Sequence, residues 1–228
     1  MIILQEKSFD EILAMITKAK RILIIGCNGC AGIYQVGGEK QALLMKQRLD
    51  IASKLNNSPL KTEAVTLLRQ CENQIVSTAL HAIVNEYDTI LSMACGAGVQ
   101  TLGEVFEDKS IIPANDTAFI GSQDRAQGKF YELCSACGNC VLFETGGICP
   151  ITRCAKGLLN GPCGGMADGK CEVGGWVKDC AWVLIFNNLK KNEDQGCFTK
   201  FQLPRDFRIS QPPREINYEV EEGEISVE

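Results

Sequence analysis

Thirteen cysteines beside a single histidine, in a chain of 228 residues, constrain this sequence more than any other feature. In an oxidising compartment such a density reads as a disulfide scaffold, and in a reducing one as metal ligands. The chain opens Met1-Ile2-Ile3-Leu4-Gln5-Glu6-Lys7, with no basic-then-apolar leader. Its longest apolar run, Ala181–Phe186, is far shorter than the roughly 20 residues that span a bilayer. A cytoplasmic protein without membrane insertion is therefore expected, with cysteines that bind metal. The one histidine, His81, removes sites built on paired imidazoles. All-thiolate ligation remains, which suits iron–sulfur clusters or four-cysteine zinc. A net charge of −5 argues against nucleic acid, whose binding needs a clustered basic face.

Apolar periodicity predicts an α/β domain over residues 1–125. Ser8 and Glu11 form a capping-box pair ahead of a helix carrying Phe9, Ile12, Leu13, Ile16 and Ala19. Arg21–Ile25 is a short apolar run closed by Gly26, the pattern of a buried parallel strand. A helix with Ala42, Met45, Leu49 and Ala52 on one stripe stops before Pro59, and a strand is expected over Ala64–Arg69. The next helix aligns Ile75, Ala79 and Ile83 beside Val76, Leu80 and Val84, leaving His81 on its polar, solvated row. A third strand at Thr89–Met93 precedes a helix with Val99, Leu102, Val105 and Phe106, while Ile111-Ile112 and Ala118–Ile120 are weaker strand signals. This alternation implies a Rossmann-like parallel sheet with flanking helices.

The texture changes after about Ser122. Residues 126–197 read as a small Cys/Gly-rich iron–sulfur module, because 11 of the 22 glycines fall between Gly128 and Gly175 and eight cysteines between Cys134 and Cys180. Such a stretch buries little apolar surface, so ligand bonds are expected to replace a hydrophobic core. A helix is expected over Lys178–Lys191, with Trp182, Ile185, Phe186 and Leu189 on one face. Residues 198–228 form a Pro/Glu-rich tail, read either as solvated or as a strap lying on a partner.

The cysteines divide by position. Cys27 and Cys30 follow the first strand, Cys71 the second and Cys95 the third. The carboxyl ends of parallel strands form one edge where ligands bind, so these four thiols are expected to converge on one 4Fe–4S cluster. Cys134, Cys137 and Cys140 make the Cys-x2-Cys-x2-Cys run of ferredoxin-type sites, and Cys149 precedes Pro150 as the remote cysteine of such runs does. With Cys154, Cys163, Cys171 and Cys180 they make two further groups of four, whose membership the spacing leaves open. Cys197 is the odd thiol. Arg153, Lys156, Lys170 and Lys178 either offset cluster charge or are simply solvated. Gly96-Ala97-Gly98 lacks the third glycine of a dinucleotide fingerprint at Thr101, and its backbone N–H groups are expected to approach cluster sulfurs instead. Two or three 4Fe–4S clusters are expected, with one zinc as the alternative occupant of a group.

The stretch Glu144–Gly165, containing Cys149-Pro150-Ile151-Thr152-Arg153-Cys154 and Asn160-Gly161-Pro162-Cys163-Gly164-Gly165, continues to Gly169-Lys170-Cys171-Glu172-Val173. It resembles the methylenetetrahydrofolate reductase C-terminal domain family, and Gly26–Cys30 and the Cys95 turn extend the likeness over most of Ile22–Leu189. As a separate chain of this length it is similar to the small iron–sulfur subunit of the acetogen-type reductase. The resemblance implies a partner subunit, a (β/α)8 barrel binding FMN and the folate, and an upstream electron donor such as ferredoxin or a flavoprotein. It further implies that this chain relays electrons for reduction of methylenetetrahydrofolate to methyltetrahydrofolate in the Wood–Ljungdahl pathway. The residues fit that division of labour, since no catalytic residue, no nucleophile–base pair and no acid/base dyad stands out. A zinc-bound structural adaptor of a multi-subunit oxidoreductase is the alternative. A self-sufficient reductase would need a nucleotide loop better than Gly96–Thr101.

Overall fold

The computed structural model describes residues 1–217 and divides into two compact units, Met1–Glu132 and the part from Leu133 onward. In the first, β1 (Ile2–Glu6) leads to α1 (Phe9–Met15), β2 (Arg21–Cys27), α2 (Cys30–Tyr34), α3 (Glu39–Leu55), β3 (Lys61–Leu67), α4 (Asn73–Leu80), β4 (Thr89–Ser92), α5 (Gly96–Val105) and β5 (Ser110–Pro113). The unit ends on β6 (Asn115–Asp124) and β7 (Lys129–Cys134).

Strands β3-β2-β4-β5 form the parallel sheet. Strand β2 lies between β3 and β4 and is covered on both faces, which is why its apolar run is continuous. Ile22 and Ile24 pack with Ile12, Met45 and Leu49 of α1 and α3. Leu23 and Ile25 point the other way, into Val76, Leu80 and Leu102 of α4 and α5. Each fully buried side chain of this kind contributes about 1.5–3 kcal/mol. Strand β3 starts at Lys61, earlier than its apolar signal suggested. It is an edge strand, and its first half alternates exposed and buried residues. Ser8 caps α1 by accepting from the Glu11 N–H at 3.2 Å, while the Glu11 carboxylate turns to Lys7 at 2.7 Å.

A second sheet, β1-β6-β7, takes the weak strand signal at Ala118–Ile120 into β6 and adds β1 and β7, for which the sequence carried no signal. Strand β1 runs antiparallel to β6, Ile2 opposite Ile120 and Glu6 opposite Asn115. Regular structure therefore continues through Ser122 and on to Cys134.

The second unit contains short elements: α6 (Pro150–Arg153), the hairpin β8 (Met166–Ala167) and β9 (Lys170–Cys171), α7 (Ala181–Lys191) and α8 (Gln195–Thr199). It does have a core of its own, contrary to expectation. Cys180, Trp182, Ile185 and Leu189 are buried together, with Cys154, Cys197 and Phe198 packed against them. Phe186 is half exposed and meets Phe198 edge-on. Helix α7 begins at Ala181 and not Lys178, because the Lys178 carbonyl accepts from Cys171 N–H and the Cys180 N–H donates to Gly169, each at 2.8 Å. The Glu-rich end of the tail, residues 218–228, lies outside the described residues. No helix among the described residues is long and apolar enough to cross a membrane.

Candidate metal centres

All thirteen cysteines are free thiols. In the first unit, three of the strand ends that carry them approach one another. Cys27 closes β2, and Asn28 N–H donates to the Leu67 carbonyl of β3 at 2.8 Å. A methyl placed at Gly29 would lie 3.5 Å from both the Cys27 sulfur and the Leu68 carbonyl, so this turn abuts the loop that leads to Cys71. Gln70, fully buried, then ties that loop down. Its Nε2 donates to the Ile25 carbonyl of β2 at 2.8 Å, and its Oε1 accepts from Ser92 Oγ of β4 at 2.6 Å. The Ser92 hydroxyl in turn accepts from Ala94 N–H at 3.3 Å, one residue before Cys95.

Gly98 completes the approach: an added Cβ would stand 2.8 Å from the Cβ atoms of both Ala94 and Gln70. Its lack of a side chain is a packing requirement for seating α5 on the Gln70 loop. The Gly96 N–H donates to Thr117 Oγ1 at 2.8 Å, so this donor is used within the protein and does not face a sulfur as expected. Burial raises the Cys71 thiol above its ordinary value, and the nearby Cys95 and Cys27 sulfurs push in the same direction. Cys30 opens α2 and is half-buried; it shares the turn of Cys27. His81 ends α4 in solvent, as its polar row implied.

In the second unit, the Cys134–Cys140 loop is shaped by left-handed residues at Ala136 (φ 52°) and Gly138 (φ 80°). The turn points Ala136 N–H at the Cys134 sulfur, 3.3 Å away. Arg205 donates to the Cys137 sulfur at 3.0 Å and to the Asn139 carbonyl. Burial pushes the Cys137 thiol up, but the Asn139 backbone, the Arg205 guanidinium and Ser135 outweigh it and hold it below its ordinary value. Cys149 and Cys180 precede α6 and α7 as their N-terminal caps, and Cys154 closes α6. Lys156 bonds the Glu172 carboxylate, Cys163 is exposed, and Cys171 ends the short hairpin. Lys170 pairs with Asp179 at 2.6 Å, a local contact that absorbs one of the charges considered for cluster neutralisation.

Sequence reasoning missed Gln70 and Arg205. A lone glutamine in a loop and an arginine in a proline-bearing tail carry no periodic or spacing signal. Only the fold shows what they touch.

Among the described residues, no three His, Cys, Asp or Glu side chains are gathered closely enough to hold one metal ion. The donors nevertheless fit a thiolate-bound group in kind: they are unpaired sulfurs, and at Cys134 and Cys137 protein N–H groups already point at them. Residues 112–208 match the family model described as Methylene-tetrahydrofolate reductase C terminal. The match covers less than half of the chain. It contains Cys134 through Cys197 and Arg205, whereas β2, β3 and β4 with their cysteines lie outside the match. The domain associates the chain with an oxidoreductase of one-carbon metabolism. Comparison with curated proteins and with solved structures returned no match.

Proposed function

We propose that this chain is an iron–sulfur electron-transfer subunit of a methylenetetrahydrofolate reductase. It docks on a (β/α)8 subunit that binds FMN and the folate, takes electrons from a ferredoxin or flavoprotein, and passes them on for reduction of methylenetetrahydrofolate to methyltetrahydrofolate. The observation that carries the reading is the placement of thiols at the carboxyl edge of the parallel sheet, in a chain whose residues 112–208 match the reductase C-terminal family model. Cys27, Cys30, Cys71 and Cys95 serve one 4Fe–4S cluster. Cys134, Cys137, Cys140, Cys149, Cys154, Cys163, Cys171 and Cys180 serve one or two more metal groups. A bound cluster would supply one-electron chemistry, and the chain's own thiolates would hold it. Catalysis itself belongs to the partner. Large apolar side chains exposed on the second unit, among them Phe143, Val177, Leu203 and Phe207, are the kind of surface that docking covers.

Anaerobic purification of the full chain with iron, acid-labile sulfide and zinc analysis tests this. A brown protein with iron and sulfide in equal amounts is expected. Zinc without labile sulfide overturns it in favour of the zinc-bound adaptor.

A further inference from the structure

The tail from Gln202 to Arg214 lies on the chain's own cysteine loop. It is pinned at one end by Asn160, whose Nδ2 donates to the Gln202 carbonyl while its Oδ1 accepts from Gln202 N–H, both at 2.8 Å. At the other end Arg214 donates to the Ala136 carbonyl at 2.5 Å. Between them the turn at Phe207–Ser210 covers Gly138, where an added Cβ would lie 3.5 Å from the Ile209 carbonyl. This clamp delivers the half-buried Arg205 to Cys137, with one guanidinium nitrogen shared between the sulfur and the Asn139 carbonyl. Arg208, by contrast, is occupied by Asp206 and faces solvent.

We infer that Arg205 is a positioning residue for the metal group ligated by Cys137, and that the Gln202–Arg214 strap exists to hold it there. The inference rests on the iron–sulfur reading above. Reducing a cluster adds one electron and breaks no bond, so the reduced form carries one more negative charge. A cationic donor on a ligating sulfur stabilises that form more than the oxidised one, and so raises the reduction potential of that centre. The charge and the hydrogen bond both reach the group through Cys137, which is why Arg205 is not itself a ligand.

The test uses the full chain, loaded anaerobically with ferrous iron and sulfide and titrated with dithionite and mediators under EPR. Wild type, Arg205→Gln, Arg205→Lys and Arg214→Gln are compared at measured iron and sulfide content. Arg205→Gln is expected to lower the potential of one centre and leave the others unmoved. Arg205→Lys, which keeps the charge without the planar fork, is expected to lower it less. Arg214→Gln releases one pin of the strap and is expected to lower the same potential by less than Arg205→Gln does, leaving the other centres unmoved. Unchanged potentials in Arg205→Gln overturn the inference while the iron–sulfur reading stands. Loss of a cluster in both Arg205 variants also overturns it, by showing a purely structural role. Failure of wild type to take up iron and sulfide overturns both.

Discussion

Gln70 shows how much one residue decides in this fold. Its amide joins β2 to β4 from a loop that would otherwise hang free, and Cys71 follows immediately. Gln70→Leu fills a similar volume but leaves the buried Ser92 hydroxyl without an acceptor, while the Ile25 carbonyl keeps only the Met93 N–H at 2.9 Å. An unsatisfied buried hydroxyl costs about 1–3 kcal/mol, so a clearly lower urea midpoint is expected for the metal-free variant; an unchanged midpoint contradicts this account. The thiols differ residue by residue as well. Cys71 is held above the ordinary thiol range, so its contribution to folding is present at low pH and is lost as pH rises through its folded value. Cys137 is held below it, so its contribution is present at high pH and is lost as pH falls through its folded value. In metal-free protein at about pH 8, iodoacetamide is therefore expected to label Cys137 before Cys71, since the thiolate is the reacting form. Exposure alone gives the opposite order, because Cys71 is the more open of the two. Peptide mass spectrometry over a time course decides between them.

At the scale of elements, the sequence was most legible where a helix or strand buries a whole face. Ala42, Met45, Leu49 and Ala52 are the buried stripe of α3 as their spacing implied, and Val76, Leu80 and Leu102 line the opposite face of the sheet. It was least legible where an element exists because of a distant partner. Strand β1 consists of five residues whose hydrogen bonds all go to β6 near the other end of the unit, and no local period announces that pairing. Helix α7 lies between these cases. Its spacing placed Trp182, Ile185 and Leu189 together, but the small core they form under the cysteine loops went against the expectation that ligand bonds alone sustain the unit. Ile185 is fully buried there. Ile185→Ala should destabilise the metal-free second unit by about 2–5 kcal/mol, read as a lower midpoint in the intrinsic fluorescence of Trp182 and Trp176. A null effect means this core matters only when metal is bound.

For the whole molecule, the two units have unequal means of support. The first contains two apolar layers around a parallel sheet; the described residues of the second form three short helices, a hairpin of two-residue strands and many left-handed glycines around one small core. Under the proposed function, metal bound to the second unit would be folding free energy for it in a way that it would not be for the first. Stripping the loaded chain with a chelator under reducing conditions, followed by brief chymotrypsin treatment, is expected to release fragments from residues 134–180 while a piece close to Met1–Glu132 persists. Simultaneous loss of both units contradicts this division.

The sequence by itself determined the local matters: the helices and strands that alternate through β2 to α5, that their sheet is parallel, that a cysteine lies at each of three strand ends, and which reductase family the second half resembles. These are legible because periodicity, strand-end position and short-range spacing act between residues close in the chain. Tertiary structure alone decided the strand order β3-β2-β4-β5, the pairing of the N-terminus with β6, the clasp at Gln70 and the meeting of Arg205 with Cys137 across 68 residues. Each of those depends on which surfaces are left to cover once the local elements exist, and on which buried polar groups then need a partner. No window of sequence contains that information.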